Sequence, residues 1–585
     1  MISLTTVPSF FRRYHNELLL LGLFVLLYIP FLGVRPLMVP DEIRYAEIPR
    51  EMVVSGDWVS PHINGMRYFE KPVLGYWVHA GALRLLGENN FAVRLPAALA
   101  VGFSALLLYL FFRYSRVRVG SEDDDDDDKR VGNICTKPRK ETVGVLAAFI
   151  YLVSFEVFGV GNAVVLDNLL TLFLTATIVF FFFATEAVPG SGREKLWLLA
   201  SGTVCGLAFL TKGFLAFAVP VLTLSVYLVW ERRYRDLWRL SWLPLLTTVL
   251  VALPWSLLVH FREPDFWNFF FWNEHVRRFL GADAQHLKPF YHYLLNAPGL
   301  IMPWTLVVPA AVAGLGRLCR GKGVEGRRLR LALCWLILPF FFLSCARGKL
   351  LTYLLPVFPP FAILMACGLP EGLKKSGWNK FFKWSVLAEA VLFSLILLGF
   401  IAIQGFGFMH APLYSRSWQV LLAVGGLICA VVLCYCAFRN RGRVRKIVLL
   451  GLAPGLLFMS AHFLIPDLML EKKAPGAVLE PYRYEIGLDT LVVAEKRAVI
   501  PACWYLKRRD VYILGGGGEL TYGLTYKEAQ RRKLNVPELR KLISVYPGKV
   551  MLVARVKSFK AWREQLPQPL SHEETGPRGF GVWRF

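Results

Sequence analysis

The sequence predicts a multi-pass α-helical membrane protein that ends in a small α/β domain. Three observations predict it. Of the 585 residues, 55% are hydrophobic and the mean hydropathy is +0.46. The apolar residues are gathered into runs long enough to cross a bilayer, which takes ~20 residues of helix. After residue 466 these runs stop, and short strand-like and helix-like patterns alternate.

A sliding window finds about thirteen apolar runs. They lie at 17–34, 91–112, 142–159, 168–186, 196–210, 214–230, 238–260, 294–316, 328–346, 350–368, 382–403, 418–438 and 446–466. Hydrocarbon offers backbone groups no partners, so each run reads as a helix. The net charge of +25 does not point to nucleic acid, because the basic residues sit in short clusters between the runs and form no single stripe. One set of loops is strongly basic: Arg12 and Arg13, residues 113–140, Arg232, Arg233 and Arg235, then 317–330, 374–383 and 439–446. These alternate correctly if the N-terminus is cytoplasmic, and an odd number of spans then places residues 467–585 on the outside. Arg12 and Arg13 precede an apolar run without a small-residue cleavage site, which reads as an uncleaved first span.

The ten cysteines have neither metal-knuckle spacing nor a disulfide framework; most lie in or beside apolar runs. The aspartate run 123–128 falls in a cytoplasmic loop and reads as a solvated segment with no catalytic role. In the first outer loop, Asp41 follows Pro40 and is placed to cap a short helix reaching about residue 54. A second helical pattern starts at Pro72; neither is long enough to cross, and both read as helices lying in the membrane interface. In the tail, strands are expected at 490–494, 511–514 and 550–556 and helices at 537–545 and 559–566. The glycine run 515–518 lacks a phosphate-loop context and is read as a plain loop.

Outer loops should be poor in Lys and Arg, yet Arg44, Arg67, Lys71, Lys212, Arg277, Arg278, Lys288, Arg347 and Lys349 all fall there. A helix N-terminus already favours an anion, and Lys71 beside one adds a full charge. An anionic ligand at the outer face explains the set better than separate snorkelling to headgroups does. The same face carries Asp41, Glu42, Glu70 and Asp167. For Asp41 and Asp167 the plain alternative is helix capping, and for Glu70 a surface ion pair with Lys71. Glu70 and His275 could together ligate a divalent metal such as zinc; the plain alternative is a hydrogen-bonded surface histidine.

These residues carry a resemblance. Asp41-Glu42-Ile43-Arg44-Tyr45, then Tyr68-Phe69-Glu70-Lys71-Pro72 with Gly75-Tyr76-Trp77, then Phe91-Ala92-Val93-Arg94-Leu95-Pro96 resemble successive motifs of the GT-C glycosyltransferases, which include the protein O-mannosyltransferases. Three later blocks are similar to one branch, the lipid-to-lipid enzymes that move 4-amino-4-deoxy-L-arabinose onto lipid A. They are Leu210-Thr211-Lys212-Gly213-Phe214, Glu274-His275-Val276-Arg277-Arg278-Phe279 with Asp283-Ala284-Gln285-His286, and the run from Arg347-Gly348-Lys349 through Thr352-Tyr353 to Pro356. The chain departs from that pattern at Leu351, where proline is expected.

The resemblance implies a sugar donor linked to undecaprenyl phosphate, lipid A or another acceptor, surrounding membrane lipids, and a site on the periplasmic side of the bacterial inner membrane. It implies Lys71, Arg44, Lys212 and Arg347 around the lipid phosphate, with Tyr68 and Tyr353 orienting phosphate or sugar. Asp41, Asp167 and Glu42 are the implied catalytic carboxylates. A phosphate acceptor is already ionised near neutral pH, so these carboxylates need not take a proton. No cofactor is required by this reading, apart from the possible metal at Glu70 and His275. Two alternatives stand beside it: a polyprenyl-phosphate hexose transferase acting on protein or another glycan hydroxyl, and a lipid-phosphate transporter, which would favour paired broken helices.

Overall fold

The computed structural model describes residues 14–113, 137–277, 287–407, 412–487 and 489–585. The aspartate run 123–128, Arg278 and the 283–286 motif lie outside the described residues. Each of the thirteen apolar runs is helical, as backbone in hydrocarbon requires. Among the described residues seven helices are long and apolar enough to cross a membrane, and two sharply bent pairs, Thr142–Leu152 with Phe155–Gly161 and His292–Leu300 with Thr305–Arg320, bring the number to nine if each pair is one span. The other four runs are occupied by His15–Tyr28, Gly192–Lys212, Leu215–Trp230, and the short helices Arg443–Leu452 and Gly455–Ser460.

Membrane helices gain little from hydrophobic contact with one another, so small residues decide how closely they pack. Helices Val308–Arg320 and Phe358–Gly372 approach so tightly that a methyl group on Gly372 would sit 1.9 Å from the carbonyl oxygen of Ala310. Ala at Gly372 therefore cannot be accommodated without parting the two helices.

The first outer loop folds into helices Asp41–Ser55 and Leu74–Leu86, joined by a tight hairpin of β1 (His62–Ile63) and β2 (Met66–Arg67). Its turn residues, Asn64 and Gly65, both have positive φ (56° and 66°), the combination that an Asn-Gly turn supplies between twisted strands. The loop helices are not left on an open surface. Ile43, Ile48 and Tyr76 are fully buried, because helix Val499–Leu506 of the tail packs on Asp41–Ser55.

The tail carries a six-stranded sheet in the order β5-β4-β3-β6-β8-β7. Its strands are β3 (Leu491–Glu495), β4 (Tyr512–Leu514), β5 (Lys533–Leu534), β6 (Val550–Arg555), β7 (Ser571–Glu574) and β8 (Phe580–Arg584). β3 pairs in parallel with β4 and β6, in register Val493 with Tyr512 and with Leu552. β6, β8 and β7 run antiparallel. Helices cover both faces of β3, which explains its unbroken apolar run. On one side lies Val499–Leu506; on the other Val536–Val545 and Val556–Trp562 pack on Val493 and Leu552.

Loop and tail are sewn together by polar contacts. The Asn64 side chain donates to the Val511 carbonyl and accepts from the Val511 N–H, both at 2.8 Å. Arg67 bridges Glu263 at 2.6 Å and Glu528 of the tail, and Lys507 pairs with Glu88 at 2.6 Å.

Candidate active site

Helix Asp41–Ser55 begins at Asp41, but Pro40 is its cap residue and no side chain caps the helix. Asp41 therefore does not do the capping expected of it. Its carboxylate pairs with Arg44 one turn on, and Arg44 reaches on to Glu519 of the tail at 3.0 Å. Asp167 behaves the same way. It opens helix Asp167–Thr185 without capping it, and its carboxylate pairs with Lys212 at 2.5 Å. Both acids sit in a first helical turn, where the helix dipole already favours negative charge.

Lys71 departs from expectation too. The helix after it starts at Leu74, not Pro72, so Lys71 lies in the preceding turn. Its ammonium donates to the Glu70 carbonyl at 2.8 Å and to Glu274 at 3.3 Å. The expected Glu70–Lys71 ion pair is thus replaced by Lys71–Glu274. Glu70 instead acts electrostatically on Arg44, Tyr45, Tyr68 and Tyr76, a cluster with Arg44 at its centre. Burial pushes the Tyr45, Tyr68 and Tyr76 hydroxyls well above their ordinary value, so they stay neutral donors. The hydroxyls of Tyr68 and Tyr76 and the Nε of Arg44 are buried without a hydrogen-bond partner. Such groups are costly unless something arrives to satisfy them.

Tyr353 lies on the short 3-10 helix Leu351–Val357, and its ring faces the Lys212 ammonium at 4.3 Å. Tyr45 feels the charges of Asp41, Glu70 and Asp167 together, which ties the first-loop cluster to the Asp167–Lys212–Tyr353 cluster. Arg347 is not drawn in. It is exposed in the turn after helix Val324–Cys345, and among the described residues its side chain forms no ion pair with the other site residues.

Glu42 has a job different from the one expected, and His275 is hydrogen-bonded, as the plain alternative had it. Glu42 was a candidate catalytic group, but its carboxylate is saturated. Arg35 grips it with two bonds of 2.6 Å, Arg94 with two of 2.9 Å, and the Met38 N–H donates at 3.0 Å. Burial alone would raise its pKa; Arg94 and Arg35 overcome that and hold it at about 2. Glu42 is a clamp fastening the first loop to helix Asn90–Arg113, with no oxygen left for chemistry.

His275 lies on a ten-residue π-helix, Asn268–Arg277, an irregular form found often at functional sites. Its Nδ1 lies 2.8 Å from the Phe270 carbonyl, and its Nε2 accepts from the Phe214 N–H at 3.3 Å. Those partners suit the tautomer with the proton on Nδ1. Burial pushes the imidazole below its ordinary value, and nearby Lys71 adds to this, so the ring stays neutral. Among the described residues no group of three or more His, Cys, Asp or Glu is placed to hold a metal ion. The histidine instead pins the turn that carries Lys212. At Gly213 φ is +85°, and a methyl there would meet Phe270 at 2.6 Å and His275 at 2.7 Å.

The result is a site in which each cation is held by a carboxylate: Arg44 by Asp41 and Glu519, Lys71 by Glu274, Lys212 by Asp167. The pairing keeps the cations charged and oriented. Glu274 was visible in a motif but was not singled out, and Glu519 had no signal at all. The glycine run 515–518, read as a plain loop, is what delivers Glu519 through the short 3-10 helix Gly518–Leu520.

Comparison with known proteins fits this layout. The family model described as dolichyl-phosphate-mannose-protein mannosyltransferase matches residues 16–119 and 134–270, and that of the arabinosyl transferase ArnT C-terminal domain matches 470–579. The chain is 36% identical to an undecaprenyl phosphate-alpha-4-amino-4-deoxy-L-arabinose arabinosyl transferase of Shewanella sediminis, over 94% of this chain and 95% of that one. The chain belongs to this arabinosyl transferase family. An Erwinia tasmaniensis protein of the same name is 35% identical over 95% of this chain and 97% of its own length. The fold matches the crystal structure of ArnT from Cupriavidus metallidurans bound to undecaprenyl phosphate, with a TM-score of 0.78 and 22% identity over 99% of this chain and 98% of that one. The chain is accordingly a multi-pass membrane glycosyltransferase.

Proposed function

We propose that this protein transfers 4-amino-4-deoxy-L-arabinose from undecaprenyl phosphate to a lipid A phosphate, on the periplasmic side of the bacterial inner membrane, and so lowers the affinity of that surface for cationic peptides. The observation that carries the reading is the convergence of Arg44, Lys71 and Lys212, each held by a carboxylate, beside buried tyrosine hydroxyls that lack partners. The relatives' names supply the sugar and the donor lipid.

The chemistry asked of the site is modest. An oxygen of the acceptor phosphate attacks the anomeric carbon, the bond from that carbon to the donor phosphate breaks, and the lipid phosphate leaves carrying the electron pair. The acceptor oxygen bears no proton, so no general base is needed. The barrier lies in charge building on the leaving phosphate, which preorganised cations relieve. Arg44 offers a fork to two phosphate oxygens, and Lys71 and Lys212 offer point charges. Tyr68 and Tyr76 donate to the phosphate the hydrogen bonds that their buried hydroxyls otherwise lack. Asp41 and Asp167, displaced from their cations, are left facing the sugar, where negative charge suits both an ammonium and an anomeric carbon turning cationic.

The test is intact-mass analysis of lipid A from a host lacking its own transferase, with and without this protein. Addition of one aminoarabinose per phosphate is expected. Unmodified lipid A together with newly glycosylated protein would instead establish the hexose-transferase alternative.

A further inference from the structure

Three of the outer-face cations stand apart from the arrangement just described. The turn after helix Val324–Cys345 pairs with the segment before helix His292–Leu300 through a bridge between Gly348 and Leu287. The Lys288 N–H donates to the Arg347 carbonyl at 3.2 Å. Lys349 Nζ donates to the Lys288 carbonyl at 3.1 Å and to the Ala346 carbonyl. The bridge thereby brings the backbones of Lys288, Arg347 and Lys349 into one knot, and the charges of Lys288 and Lys349 both reach the His292 ring. Lys349 is 3% exposed, while Lys288 and Arg347 face outward.

No carboxylate pairs with any of the three among the described residues. This contrasts with the reaction site, where every cation has an acid. A buried ammonium satisfied only by carbonyls is costly unless an anion completes it. Burial pushes the Lys349 amine below its ordinary value, and no acid is close enough to reverse the shift. Tyr353, which faces Lys212, lies on the 3-10 helix that follows Lys349 directly, so the knot borders the reaction site.

We propose that Lys288 and Lys349, with Arg347, form a second phosphate site, separate from that of the donor, which takes a lipid-borne phosphate and in the reaction holds the acceptor. This rests on the transfer reading above. Two phosphates must approach within bonding distance of one carbon, and they repel unless each has its own cations. The cations at Arg44, Lys71 and Lys212 serve the donor; the unpaired knot is free to serve the acceptor. An ordinary phospholipid headgroup offers the same chemistry, and the experiment separates the two sources.

Full-length protein in zwitterionic nanodiscs is assayed with purified donor and lipid A, varying one while the other saturates. Lys288→Gln removes an exposed charge and leaves the backbone bridge intact; Lys349→Met removes the buried one. For both variants the KM for lipid A is expected to rise about tenfold, with donor KM and kcat within about twofold of wild type. Native mass spectrometry of the same proteins with anionic phospholipid forms the second arm. An unchanged lipid A KM with loss of bound anionic phospholipid assigns the site to a headgroup. No change in either arm overturns the proposal, and so does an equal rise in both KM values. If Lys349→Met does not fold, Lys288→Gln alone decides. A wild type that transfers nothing defeats the reaction reading, while the phospholipid arm still tests the knot.

Discussion

Lys71 stands where two segments distant in sequence meet, its ammonium 3.3 Å from Glu274 on the π-helix. Lys71→Ala should lower kcat by about 10²–10³ with the fold intact, because a preorganised charge aimed at the leaving phosphate is lost. Glu274→Gln keeps the cation and should cost less. Single-turnover rates at saturating donor check this, and an equal loss in both variants would make the pair merely structural. The cations themselves could be found in the sequence because they break the positive-inside pattern. Their partners could not, since Glu519 is 475 residues from Arg44 and nothing local marks it. Glu42 was misjudged for a related reason: an acid beside Asp41 looks catalytic until Arg35 and Arg94 arrive from either side.

Among the elements, the turn between helices Gly192–Lys212 and Leu215–Trp230 is the most constrained near the site. Gly213→Ala places a side chain in a backbone region that is essentially glycine-only and drives it into Phe270 and His275. We expect a loss of about 1–3 kcal/mol in stability, read by thermal unfolding in detergent, together with a fall in transfer as Lys212 is displaced from Asp167. Ala at exposed Gly399, where a methyl meets nothing, is the control. The long helices were legible because apolar runs and their lengths are fixed by the bilayer. The π-helix was not, since one extra residue per turn leaves no compositional mark. The Asn64-Gly65 hairpin did carry a recognisable turn signal and was overlooked among helical patterns. β7, Ser571–Glu574, is polar and exposed throughout and lacks the alternation that reveals a strand.

On the scale of the whole molecule, first loop and tail share one buried seam, and Glu51 lies in it. Its carboxylate accepts from the Gly65 N–H, and burial, with Glu47 nearby, raises its pKa from 4.5 to about 7. The sign follows from the direction of that shift. The folded state favours the protonated form, so the stabilisation is complete below about 4.5 and is lost as pH rises through about 7. Thermal stability should therefore fall across that window in the wild type, by an amount on the order of a few kcal/mol, and should stay flatter in Glu51→Gln. Identical pH profiles would show that the seam does not sense Glu51. The contact between Arg44 and Glu519 crosses the same seam and ends at the chemistry. A water-soluble inhibitor therefore has no need to partition into lipid or to mimic a polyprenyl chain. A compound that wedges between the tail and the first loop, and takes Glu519 away from Arg44, would disarm the enzyme from the aqueous side.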